Sequence, residues 1–290
     1  MKRILILFLL PIVLCATSYV NAQVEFKLQQ LSTHLHVLYG QGGNIAISVG
    51  KDGIYLVDDQ FAKLSDDIKA QVSKLQPGAT EFVINTHHHG DHTGGNENFA
   101  KAGSHVIAHH NVYRRLKDKH GEGSQFLPVI SFSKDMTLHF NGEHASIWHY
   151  ANAHTDGDVV IFYEQANVVH TGDIFFNLSS LPFVDVDSGG SLDGVIAAVS
   201  SILERIDDKT KVIPGHGPVT NKSGLLEYKM LLEQAKKIML VAIEKHTTLD
   251  AVVAAQPLAE LKLSYSNWLP QERVTRLFYR SLTSSANSQE

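Results

Sequence analysis

The sequence predicts an α/β fold in which sheets are covered by helices, laid out as one domain of two similar halves. Three observations carry this. A hairpin of alternating apolar residues near the start is followed by helix and strand signals in turn. The second half of the chain resembles the first in layout. A long amphipathic helix follows, whose apolar face needs a sheet or helices to cover it. With 290 residues, 43% of them hydrophobic and 19% charged, the chain suffices for one large domain or two smaller ones.

Asn44 to Val49 alternates like a half-buried strand, Gly50 to Gly53 signals a turn, and Ile54 to Val57 forms the second strand of the hairpin. Helical spacing runs from Leu64 to Leu75, and Pro77-Gly78 ends it. Phe82 to Ile84 reads as a short buried strand, Asn96 to Ala102 as a helix, and His105 to Ala108 as a strand. Further strands are expected at Thr137–Phe140, Ala145–His149, Val159–Tyr163, Val168–His170 and Val212-Ile213, with a helix from Leu192 to Arg205. Leu225, Tyr228, Leu232, Ala235 and Met239 share one face of the long helix, which opens a C-terminal helical extension from about residue 224. Pro270 suits the first position of a last helix.

The first 22 residues read as a secretory leader rather than as part of the fold. Lys2 and Arg3 precede an apolar run from Ile4 to Ala16, and Val20-Asn21-Ala22 resembles a cleavage site. The run is short of the roughly 20 residues a spanning helix needs, so no stable membrane insertion is expected after cleavage. Bulky Leu14 argues against lipid attachment at Cys15. Cleavage after Ala22 removes Lys2, Arg3 and the only cysteine, leaving 268 residues with a net charge of −7. The expected location is periplasmic or secreted. The acidic balance argues against a nucleic-acid partner; a small-molecule substrate is expected, and oligomeric state is not legible.

Seventeen histidines against one cysteine point to metal binding through imidazole and carboxylate. Three apolar runs end alike, delivering His87 after Ile84-Asn85-Thr86, Asp173 after His170-Thr171-Gly172, and His216 after Ile213-Pro214-Gly215. Groups just beyond rigid strand ends converge at one rim of a sheet. His87-His88-His89-Gly90-Asp91-His92 packs four imidazoles and a carboxylate into six residues. In extended backbone His87 and His89 point the same way and His88 the other. Gly90 permits a bend that lets Asp91 and His92 face a neighbouring position. His154 and His216 taken alone are ambiguous, and the other twelve histidines, His88 and His170 among them, read as surface or core residues. Asp58, at the end of the Ile54–Val57 strand, fits equally a turn residue or an acceptor for an imidazole N–H.

Thr86 to His92, Ala153-His154-Thr155-Asp156-Gly157-Asp158, Thr171-Gly172-Asp173 and Pro214-Gly215-His216-Gly217-Pro218 together resemble the metallo-β-lactamase superfamily, over roughly Gln30 to Thr220. The resemblance implies a four-layer αβ/βα sandwich with a metal site at one edge of the paired sheets. It implies that His87, His89 and His154 hold one zinc, that Asp91, His92 and His216 hold a second, and that Asp173 bridges the two. It further implies attack of a metal-bound hydroxide on an amide or ester, with Asp91 as catalytic residue orienting the nucleophile and shuttling a proton.

Departures from the pattern narrow the substrate. The superfamily's cysteine-containing β-lactamases have a Cys ligand where this chain has Asp173, and a Lys three residues later where it has Phe176. Asp at that position resembles glyoxalase II and the lactonases, although no match to a glutathione-binding C-terminal region is found. Ile174 to Gly190 is apolar and close to the expected metals, so it fits a pocket wall, with Phe176 and Asn177 as substrate contacts, although any one of its aromatics fits a buried connector equally well. The expectation is an exported dizinc hydrolase of a β-lactam-like or lactone-like substrate. The alternatives are a thioesterase of glyoxalase II type and an iron-dependent persulfide-oxidising relative.

Overall fold

The computed structural model describes residues 24–246 and 248–287; the leader expected at residues 1–22, with Cys15, lies outside them. Seven strands form the first sheet in chain order: β1 (Lys27–Gln30), β2 (Leu35–Tyr39), β3 (Ile45–Gly50), β4 (Gly53–Val57), β5 (Thr80–Ile84), β6 (His105–His109) and β7 (Ile130–Phe132). The pairs up to β3–β4 are antiparallel, and those from β4–β5 onwards are parallel. The second sheet holds β8 (Asp135–Phe140), β9 (Glu143–His149), β10 (Val159–Tyr163), β11 (Val168–His170), β12 (Lys211–Ile213) and β13 (Thr220–Asn221), also neighbour to neighbour. Only β11–β12 is parallel there.

Helices α1 (Ser65–Leu75), α2 (Gly90–Thr93), α3 (Asn96–Lys101) and α4 (His110–His120) belong to the first half. Helices α5 (Leu192–Arg205), α6 (Lys222–Lys245), α7 (Leu249–Ala254) and α8 (Gln271–Asn287) belong to the second. The central strands alternate between two cores, as the pleat requires. Tyr55, Val57 and Ile84 of the first sheet meet Ile147, Val159, Ile161 and Ile213 of the second in a core between the sheets. The opposite faces turn outward. Ile54, Leu56 and Val83 pack on Ile68 and Val72 of α1. Val160, Val169 and Val212 pack on Val199 of α5, Leu232 of α6 and Phe278 of α8. The result is helix, sheet, sheet, helix.

Most expected elements appear within a residue or two of their boundaries. β1, β2, α2, α4, β7, β13 and α7 are not among the expected elements. β1 is a half-exposed edge strand of Lys27, Leu28, Gln29 and Gln30, and α4 buries only Val112 and Leu116 on an otherwise charged helix. Helices α6 to α8, beyond residue 222, share the large core of the second sheet. No helix among the described residues is long and apolar enough to cross a membrane.

Candidate metal centre

Strand ends from both sheets meet at one rim. β5 runs out into His87, which is fully buried. His89 precedes the single turn α2, which carries Asp91 and His92. The parallel pair β11–β12 delivers Asp173 and His216 to the same edge, and the β9–β10 connection supplies His154. The ring nitrogens then form two groups around one carboxylate. His89 Nδ1 lies 3.0 Å from both His87 Nε2 and His154 Nε2. His92 Nε2 lies 3.4 Å from His216 Nε2, and Asp91 Oδ2 lies 3.6 and 3.2 Å from those two atoms. Asp173 sits between the groups. Its Oδ2 is 3.7 Å from His87 Nε2 and 3.6 Å from His154 Nε2, while its Oδ1 is 3.1 Å from His92 Nε2 and 3.5 Å from His216 Nε2.

Hydrogen bonds at the other ring nitrogens determine which lone pairs are free. His92 Nδ1 donates to Asp58 Oδ2 at 2.7 Å. His154 Nδ1 donates to the Phe183 carbonyl at 2.8 Å, and His89 Nε2 to Asp185 Oδ2 at 2.9 Å. His87 Nδ1 is 3.0 Å from the Thr86 hydroxyl. With their N–H groups engaged there, His87, His89 and His154 aim three lone pairs at one another. Such lone pairs repel unless a cation lies among them. Tetrahedral coordination with bonds of 2.0–2.1 Å spaces its ligands about 3.3 Å apart, so both groups have the dimensions and the donors for a divalent ion.

The electrostatics differ between the groups. Burial pushes His154 down to about 4, and burial with the neighbouring His92 ring holds His87 well below an ordinary histidine. Both are therefore neutral at pH 7, with lone pairs available. In the second group, burial opposes the charge on His216, but Asp173 and Asp91 raise it to about 9. Burial would likewise raise Asp91, yet His92 and His216 bring it to about 2. Asp173 is held well below the usual carboxylate range, because His92 and His216 outweigh its burial.

Asp58 proves to be more than a turn residue. It is fully buried with φ at 64°, a conformation uncommon for residues other than glycine. That backbone aims one carboxylate oxygen at Thr86 N (2.7 Å) and the other at the Thr86 hydroxyl (2.8 Å) and His92. Asp185 escaped the sequence reading. It lies within the expected pocket wall, but no spacing rule ties it to His89, 96 residues earlier in the chain. His88 turns away from both groups, with Nε2 3.3 Å from the Ser188 hydroxyl.

A cavity of about 610 Å³ opens on the site, lined by His89, Asp91, Asp173 and His216 at its floor and by Phe61, Phe176, Phe183 and Trp268 at its walls. Phe176 stacks on the His216 ring at 5.3 Å and 9°. Asn177, the other expected substrate contact, is not among the residues that line this cavity. Its Nδ2 donates to the Pro218 carbonyl at 2.7 Å and its backbone N–H to the His216 carbonyl at 2.9 Å, so it holds the His216 loop in place.

Residues 61–220 match the model of the metallo-beta-lactamase superfamily. The chain belongs to that superfamily. It is 28% identical over 174 residues to a hydroxyacylglutathione hydrolase of a Polaromonas species, which covers 59% of this chain and 61% of the relative. The chain thus spans about three-fifths of that relative's length. It is 25% identical over 187 residues to the type 2 metallo-beta-lactamase of Bacillus cereus, covering 62% and 69%. A metallo-beta-lactamase from Pontibacter korlensis shares the fold, with a TM-score of 0.64 at 19% identity over 72% of this chain and 99% of that one.

Two glycines make room for the superfamily site. A Cβ on Gly43 would stand 2.1 Å from the His92 ring, and one on Gly215 would stand 1.9 Å from Asp173 Oδ1. Gly215→Ala must therefore displace the shared carboxylate. Titration of the chelator-stripped protein with zinc against a competing indicator should show at least one site weakened about 10- to 100-fold, the scale of losses when metal-ligand positioning is disturbed. Unchanged affinity at every site would mean that Asp173 takes no part in metal binding.

Proposed function

We propose that the chain is an exported dinuclear zinc hydrolase that opens an amide or ester bond in a β-lactam-like or lactone-like substrate. The observation that carries this reading is the Asp173 carboxylate shared between two imidazole groups at the floor of a cavity of about 610 Å³, a size suited to a small molecule. A donor set of imidazoles and carboxylates suits zinc, and the leader pattern of residues 1–22 supports export. His87, His89 and His154 would hold one ion and Asp91, His92 and His216 the other, with Asp173 within reach of both groups. Bound there, the metal would supply a Lewis acid for the scissile carbonyl and would lower the pKa of water towards neutrality.

The chain's own residues supply the rest. Asp91 is ionised at neutral pH and lines the cavity floor, so its carboxylate can accept the hydrogen bond of the attacking water and orient it. The same carboxylate carries the proton to the departing nitrogen or oxygen. Asp58 and Asp185 keep His92 and His89 in the tautomers that face inward. Phe176 and Phe183 shield the site from water. The similarity to a hydroxyacylglutathione hydrolase favours thioesters as a second substrate class, to be tested beside nitrocefin, acyl lactones and phosphodiesters.

Asp91→Asn should lower kcat by about 100-fold or more on the best substrate, the usual range for a lost proton-transfer group, with KM changed only a few-fold. His88→Ala should stay within about tenfold, because its ring faces Ser188. Equal losses in the two variants would mean that His88 shares in the centre.

Among the described residues neither Lys nor Arg lines the cavity, and Phe176 presents a ring to it. A charge-assisted hydrogen bond is worth about 1.5–3 kcal/mol, or roughly 10- to 150-fold in kcat/KM. Phe176→Lys should raise kcat/KM for an anionic β-lactam towards that range and leave a neutral lactone unimproved. A wild-type protein that already prefers the anionic substrate, with no gain in the variant, would show that a cation outside this wall supplies the contact.

A further inference from the structure

The outer wall of the cavity comes from a part of the chain that the superfamily match at residues 61–220 does not include. Between the short turn Pro257–Leu261 and α8, the segment 262–270 crosses the mouth of the site, tied by Ser264 N–H to the Ser179 carbonyl at 3.0 Å. It brings Ser266, Trp268 and Leu269 to the cavity. Trp268 packs edge-on against Phe183 at 5.2 Å, and Phe183 is the residue whose carbonyl holds His154. Arg273 covers both rings, with its guanidinium carbon 4.7 Å from the Trp268 centroid and 5.1 Å from that of Phe183. Its Nη1 donates to the Trp268 carbonyl at 2.9 Å.

A large aromatic ring left 60% exposed, yet held by Phe183 at its edge and Arg273 on its face, is unusual for a surface residue. Leu178, at the same cavity, is also half exposed. Together with Phe61 these residues line the cavity as an apolar trough beside the side chains of the metal site. Arg273, stacked on Trp268, is engaged by the ring faces and a carbonyl.

We propose that Trp268 is a specificity-determining residue and that, with Phe183, Leu178 and Phe61, it forms a subsite for an uncharged hydrocarbon group of the substrate, a medium-length alkyl chain or an aryl ring. This deepens the hydrolase reading by naming the group carried beside the scissile bond, and it rests on that reading for its place in catalysis. Binding itself does not depend on turnover. The group must desolvate against Trp268, so affinity rises with its length until the trough is filled.

The test uses neutral primary amides of increasing chain length, butanamide, hexanamide and octanamide, on the metal-loaded protein. The chain has two tryptophans, Trp148 and Trp268. In Trp148→Phe, which keeps an aromatic face for Arg205, Trp268 is the sole indole reporter. Its emission should shift to the blue on binding, with Kd falling about three- to fourfold per methylene over this series. By calorimetry, Trp268→Ala should weaken octanamide at least about tenfold and leave butanamide nearly unchanged, and Trp268→Phe should restore most of the loss. Kd independent of chain length, or an equal loss for both amides in Trp268→Ala, overturns the subsite. A length-dependent affinity that requires Trp268 upholds it even in a protein that hydrolyses no ester, lactone, amide or thioester, a result that would remove the hydrolase reading alone.

Discussion

One buried carboxylate, that of Asp173, must serve two clusters of imidazoles at once, and much of the molecule is arranged around that constraint. A carboxylate withdrawn from water is stable as an anion only beside positive charge or donors. Its two oxygens therefore face different partners, His87 and His154 on one side and His92 and His216 on the other. Holding five rings to within a few tenths of an ångström requires rigid supports. The fold supplies them as strand ends, with β5 in one sheet and the parallel pair β11–β12 in the other. The core between the sheets, built on residues such as Tyr55, Ile84, Ile161 and Ile213, keeps the two rims in register.

The same constraint explains local irregularities that strand geometry alone does not. Asp58 adopts a left-handed backbone so that its carboxylate reaches both Thr86 and His92. Gly172, with φ at 51°, and Gly215 allow the chain to turn where a side chain would strike Thr86 or Asp173. Such strain is retained at positions where the surrounding structure fixes a functional group.

The centre was more legible in the sequence than its surroundings, and the reasons are physical. Dense donors at fixed spacing, as in His87 to His92, have few uses other than a shared ion. Alternating runs such as Ile45 to Val49 must bury alternate faces. The parts that were missed lack both signals. β1 lies at a sheet edge with little apolar content, and α4 presents a narrow apolar stripe of Val112 and Leu116. Asp185 supports His89 through a contact that exists only after folding. The Asn177 amide likewise holds the loop that carries His216 through a contact made on folding. Trp268 belongs to an irregular segment whose position depends on the packing of α6 and α8. Residues that act on substrate through tertiary packing leave little trace in local pattern.

The central claim is that two ions share Asp173. Anomalous diffraction at the zinc edge, from crystals of protein loaded with zinc, tests it most directly. The account predicts two peaks about 3.5–4 Å apart, one among His87, His89 and His154 and the other among Asp91, His92 and His216, with Asp173 between them. A single peak at saturating zinc, or a peak among His88, His89 and Asp185, would contradict it.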